Sequence, residues 1–415
     1  MVLEIRISNF FSIKDEIVLD LRAANINTQK AKQLKTNIFE FNKTKVLKTV
    51  AIYGANASGK SNIIKAIRFC NAMIFQSHLH NENTIYNFKP FKFQGYKNKP
   101  SSYFIRFVIG NIEYEYAFSL LQKQILTESL YYYPQGRIKK IFTRDEQLGK
   151  TKKEKYSFSS VIRRPMDVAE NTSNKTLYIS RASQMDRDIA KEIFNYFNST
   201  FILGYFYKRP IERLFVKYKD LLLQALKIAD IDIQDIKIKK EKKSGKNVLF
   251  NLTANQVSIE NIEQEHLKIT TYHHFAPNIP FDFETEESDG TKKLFFVMLT
   301  IIDIIKNNKV LLIDEIGESL HTSIVEYILA LFNKSKNAQL IFTTHNTKLL
   351  NLNNLRKDQI YFTNKNSDGA TDLYSLYDFN DFRDTMDAEK AYLQGRFDAV
   401  PFIDSIETLT EIINE

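Results

Sequence analysis

The eight residues Gly54-Ala55-Asn56-Ala57-Ser58-Gly59-Lys60-Ser61 constrain this chain more than any other feature. They match the pattern GxxxxGK[ST] in full. A short apolar run, Val50-Ala51-Ile52-Tyr53, precedes them, and Ile63, Ile64, Ile67, Met73 and Ile74 follow at roughly three- and four-residue steps. That is a buried strand, a glycine-rich loop and an amphipathic helix, in the order the motif requires. Glycines let the backbone wrap closely enough for its N–H groups to face phosphate oxygens, and the helix N-terminus adds its dipole. Gly54, Asn56, Ala57, Ser58, Gly59, Lys60, Ser61 and Asn62 are the candidate nucleotide-binding residues. Lys60 is expected to reach the β- and γ-phosphates of ATP, and the Ser61 hydroxyl to ligate Mg²⁺.

A second motif completes the first. Val310-Leu311-Leu312-Ile313 is an apolar strand that ends in Asp314-Glu315. Asp314 is placed to hold Mg²⁺ with Ser61, and Glu315 to orient or deprotonate an attacking water. Lys60 and Asp314 stand more than half of the 415 residues apart. A compact nucleotide-binding domain has no need of that distance, so the intervening chain reads as insertions into one core. It holds a two-residue-period meander from Tyr103 to Tyr133, a basic, turn-rich segment from Lys139 to Arg164, a mainly helical region from Ser183 to Ala229, and a second basic run from Lys237 to Lys246. The expected division is 1–135 for the first half of the core, 136–280 for an inserted basic and helical subdomain, and 281–415 for the second half with a tail.

Two weaker motifs gain meaning from their order. Glu287-Ser288-Asp289-Gly290-Thr291 opens a helix, and Ser288 and Gly290 there form a further candidate phosphate nest. His345 follows the strand Leu340-Ile341-Phe342 and is placed to hydrogen-bond a γ-phosphate. P-loop, long insertion, Ser-x-Gly, acidic strand end and histidine, in that order, resemble the head of an ATP-binding-cassette (ABC) ATPase. Several stretches are similar to the soluble ABC ATPases of prokaryotic phage defence, relatives of the OLD (overcoming lysogenization defect) nucleases and, more distantly, of the SMC family. They are Ile7-Ser8-Asn9-Phe10-Phe11-Ser12-Ile13-Lys14, Ala51–Ser61, Glu287–Leu294, Leu312–His321 and the tail from Glu389 to Pro401. Two departures stand out: Phe11 occupies a position that is often basic in that group, and the signature reads Ser-Asp-Gly-Thr rather than Ser-Gly-Gly-Gln. Gln94 is a candidate Q-loop glutamine, with an exposed loop position as its plainer reading.

The resemblance implies an α/β fold: a P-loop ABC-type ATPase head with an N-terminal β-rich lobe and an inserted helical/β subdomain. It implies Glu315 as catalytic base, His345 as switch and Gly317–His321 as the loop linking subunits. It also implies a homodimer in which Ser288 and Gly290 complete the ATP site of a second, head-to-tail copy, with higher oligomers open. The stretch after His345 is too short for the Toprim domain of OLD nucleases plus the closing elements of an ATPase. The expected activity is therefore Mg²⁺-dependent ATP hydrolysis by a sensor or scaffold of an antiphage system that controls a separate effector, a nuclease or toxin.

Composition bears on the alternatives. Cys70 is the only cysteine, the N-terminus lacks a basic-then-apolar signal, and no apolar run is long enough to span a bilayer, which reads as a cytoplasmic protein without a membrane partner. Lys+Arg 58 against Asp+Glu 49 gives +9, which leaves nucleic acid open as a partner. An SMC-like DNA-binding ATPase of repair is the second function. A nucleotide-gated module that binds ATP tightly and hydrolyses it poorly is the third. The lack of a sustained heptad for a coiled-coil arm counts against the repair machine.

Overall fold

The computed structural model describes residues 1–204, 211–251, 256–318, 320–401 and 413, with 243–251 and 256–265 described through the backbone alone. Contacts divide the chain into two compact units: Met1–Gly204 with Asn307–Glu415, and Tyr205–Lys306.

The first unit holds two large sheets. One has seven antiparallel strands in the order Tyr156–Phe158, Lys139–Asp145, Gln124–Tyr132, Ile112–Leu121, Ser101–Ile109, Val2–Ser8 and Ile17–Asp20. The expected meander is its middle, with Tyr103 opposite Phe118 and Phe107 opposite Tyr114. Its inward faces bury Tyr103, Ile105, Phe107, Tyr114, Tyr116 and Phe118, as a two-residue period requires. The basic segment after it, read from sequence as turn-rich, instead adds two strands to the sheet. Arg144 is fully buried there. It lies 3.5 Å from Glu128 and donates to the carbonyls of Thr176 (2.7 Å) and Ser173 (3.0 Å). An inward-facing arginine interrupts the apolar alternation, which is why the strand is hidden in the sequence.

The second sheet positions the site. Its order is Phe201–Leu203, Val310–Ile313, Gln339–Thr343, Thr49–Gly54, Ile360–Lys365 and Thr371–Ser375. The first five strands are parallel and the last is antiparallel. Parallel strands buried on both faces read as continuous apolar runs, which Val310–Ile313 and Val50–Tyr53 do. The strand of the P-loop and the strand of the acidic pair flank the strand that leads to His345, so all three motifs emerge at one edge, the carboxyl ends, where such sheets bind ligands. The helix Lys60–Gln76 buries Ile63, Ile64, Ile67, Met73 and Ile74. One apolar cluster contains those residues together with Ile5, Ile105 and Phe107 of the first sheet and Ile52, Leu312 and Ile341 of the second.

The second unit has its own framework. Strands Ile233–Asn251 and Gln256–His273 form a long antiparallel ribbon, with Ala276–Asp282 alongside. Helices Ile211–Ile228 and Asp289–Lys306 pack together, with Phe215 and Phe295 ring centroids 6.4 Å apart. The division drawn by contacts begins at Tyr205 rather than at 136, and ends at Lys306 rather than at 280. Residues 136–204 pack as strands and helices of the first unit. Among the described residues, no helix is long and apolar enough to cross a membrane.

Candidate functional site

The P-loop takes its shape from backbone positions that other residues resist. Gly54 has φ +155° and Gly59 φ +112°, and a Cβ on either would overlap a threonine hydroxyl, of Thr363 and Thr371 respectively. These threonines hold the loop from beneath. Ser58 and Thr363 share a 2.6 Å hydroxyl contact, and Thr371 Oγ1 donates to the Ser58 carbonyl at 2.8 Å. Asn56 and Ala57 form the exposed tip, Ala57 with φ +62°.

Lys60 opens the helix and is 4% exposed. Its ammonium donates to the carbonyls of Gly54 (2.9 Å) and Ala55 (3.0 Å). Burial pushes this ammonium below its ordinary range, and the nearby Glu315 and Asp314 carboxylates oppose that shift. A buried cation with neutral partners is electrostatically costly, so an anionic phosphate is the partner that relieves it. Next to it, Ser61 Oγ donates to Asp314 Oδ1 at 3.3 Å. The two expected Mg²⁺ ligands therefore share one small space, although they come from motifs far apart in sequence. Among the described residues no group of three or more His, Cys, Asp or Glu is arranged to hold a metal. One hydroxyl and one carboxylate instead suit an ion that arrives with phosphate ligands of its own.

Glu315 lies in the left-handed region, φ +56°. Its amide donates to Thr343 Oγ1 at 2.8 Å, and His345 Nε2 lies 3.0 Å from its Oε1. Glu315 and His345 are both solvent-accessible, whereas the Thr343 between them is fully buried. Thus Lys60, Ser61, Asp314, Glu315 and His345 converge at one edge of one sheet.

Of the remaining expected residues, Ser288 and Asn62 have partners of their own. Ser288 and Gly290 belong to the second unit and are exposed. The Ser288 hydroxyl accepts the Thr291 amide at 3.1 Å and so caps the helix Asp289–Lys306. The preceding Glu287 accepts from Thr271 and lies 2.9 Å from His273 Nε2, which gives that histidine a partner within its own unit. Asn62 donates to Ser12 Oγ at 2.7 Å, and that hydroxyl lies 2.7 Å from Thr371 Oγ1 beneath the loop. Gln94 is exposed. Ser319, within the expected subunit-linking loop, lies outside the described residues. Asn9 is buried, and its side chain binds the backbone of Phe91, Tyr96, Lys99 and Pro100, so the Asn-Phe opening staples a loop. The residues missed in the sequence are the hydroxyls Ser12, Thr343, Thr363 and Thr371. Their only local signal was Thr343-Thr344 directly before His345.

Residues 50–351 match the family described as "AAA domain, putative AbiEii toxin, Type IV TA system". The chain belongs to this family. It is an ATPase with the P-loop, acidic strand end and histidine just described. No curated protein matches it. Among solved structures it is similar to the SmcHead bound to the C-winged helix domain of ScpA. That match has 17% identity and a TM-score of 0.40, and covers 90% of this chain and 97% of the other. It is also similar to the SMC head domain from Thermotoga maritima, at 14% identity and TM-score 0.37, over 90% of this chain and 98% of that one.

Proposed function

We propose that this ATPase hydrolyses ATP with Mg²⁺ at sites completed between two copies, and that it serves an antiphage system as the sensor or scaffold controlling a separate toxic effector, a nuclease. The observation that carries the chemistry is the Glu315–His345 contact beside the Ser61–Asp314 pair. Lys60 exchanges its two loop carbonyls for phosphate oxygens. Glu315 takes the proton of the attacking water, and His345 keeps that carboxylate oriented. Ser61 and Asp314 would hold Mg²⁺, which neutralises charge on the phosphates.

Composite sites are supported by the exposed Ser288–Gly290 turn, whose helix N-terminus is suited to an anion from outside its own unit. The defence role is supported by the toxin–antitoxin description of the family and by the resemblance of the motifs. DNA binding finds less support. Arg144 is buried, Lys155 pairs with Glu146 at 2.9 Å, and Lys140 bonds Ser157, so these three bases of the first basic run are engaged within their own fold, while Lys139, Lys150, Lys153, Arg163 and Arg164 are exposed.

Mixing two inactive variants tests the composite site. Lys60→Ala and Ser288→Arg are each expected to be inactive. An equal mixture should regain about a quarter of the wild-type rate, because half the dimers carry one intact site. No recovery, with subunit exchange verified, contradicts head-to-tail completion.

A further inference from the structure

We propose that Thr343 is a positioning residue that sets both acidic residues of the site through one hydroxyl, and this rests on the ATPase reading above. A threonine hydroxyl has one proton to donate and lone pairs to accept with. Here the proton goes to Asp314 Oδ1 at 2.7 Å, while the oxygen accepts the Glu315 amide at 2.8 Å. The Thr343 carbonyl also accepts the Ile316 amide at 3.1 Å. Side chain and backbone of one residue thus grip the turn that carries the acidic pair.

Three observations give this grip a purpose beyond packing. Glu315 holds φ +56°, a conformation that L side chains avoid and that needs outside support. The Thr343 hydroxyl is fully buried, so no water can replace it. Ser61 donates to the same Asp314 oxygen at 3.3 Å, the longer of the two bonds. With Ser61 given over to a Mg²⁺, Thr343 would be the partner that keeps Asp314 aimed. The neighbouring strands supply the rigidity, because Thr343 pairs with Ile52 of the P-loop strand.

Thr343→Val keeps the shape and removes the hydroxyl. Thr343→Ser keeps the hydroxyl, and Thr343→Ala provides a second loss of it should the valine fail to fold. Two quantities are read on the full chain: the Mg²⁺ midpoint for retaining a fluorescent ATP analogue, and kcat with KM for ATP. Removing an outer partner of a metal ligand costs about 10- to 100-fold. Thr343→Val is therefore expected to raise the Mg²⁺ midpoint by about tenfold and to lower kcat by about 10- to 100-fold, with KM within about threefold of wild type. Thr343→Ser should restore both. A valine variant with wild-type midpoint and kcat overturns the proposal, as does a serine variant as damaged as the valine. Should the wild type bind nucleotide without turnover, the hydrolysis reading fails, while the Mg²⁺ midpoint still decides the role of Thr343.

Discussion

Lys60 and Arg144 show how differently one sequence uses its cations. Lys60 is buried against two neutral carbonyls, an arrangement that a phosphate improves. Lys60→Ala should therefore weaken ATP binding by about 3 kcal/mol, close to a hundredfold, measured by calorimetric titration, with the melting temperature little changed. Arg144 is buried against Glu128 and Glu146, beside a helix start at Tyr178 whose amide Glu128 accepts. Arg144→Met strands a buried carboxylate. It should cost about 3 to 5 kcal/mol in denaturant unfolding, with ATP affinity of the folded protein intact. Charge alone separated neither residue from the other. Lys60 was legible because its motif is contiguous, whereas the role of Arg144 depends on strand neighbours.

The same divide holds for elements. The P-loop strand, loop and helix were readable because each is set by local periodicity and by glycines that the backbone demands. The strand ends at Asp314 and His345 were readable as apolar runs of fixed length. The threonines were not, because Thr343, Thr363 and Thr371 act through strands that meet the P-loop only after long-range pairing. The segment Ile38–Leu47 likewise hid a hairpin, Ile38–Phe41 with Thr44–Leu47, whose few apolar residues are separated by its turn. Another joint of this kind is Gln339. Its side chain accepts the Val2 amide at 2.7 Å and donates to the carbonyls of Val2 and Leu47, tying the two large sheets together from a fully buried position. Gln339→Leu leaves those backbone groups unpaired. It should lower the unfolding free energy by about 2 to 4 kcal/mol, measured in urea.

At the scale of the molecule, the chain leaves the parallel sheet after Phe201–Leu203 and returns at the neighbouring strand Val310–Ile313, so the second unit is an excursion between two adjacent strands. In the ribbon of that unit, the register sets Lys242 of the basic run opposite Glu265, whereas Lys237, Lys239, Lys240, Lys243 and Lys246 stand opposite Thr270, Lys268, Leu267, Gln264 and Asn261. The sheet edge that holds Lys60, Asp314, Glu315 and His345 says most about function. The measurement that addresses it most directly is turnover of MgATP by Glu315→Gln, followed together with nucleotide retention and sedimentation. Loss of a general base lowers the rate by about 100- to 10,000-fold. A variant that binds ATP as tightly as wild type, turns over at least about a hundredfold more slowly and accumulates as a nucleotide-bound dimer is the expected result. Wild-type turnover by that variant contradicts the assignment of Glu315 and with it the proposed chemistry of the site.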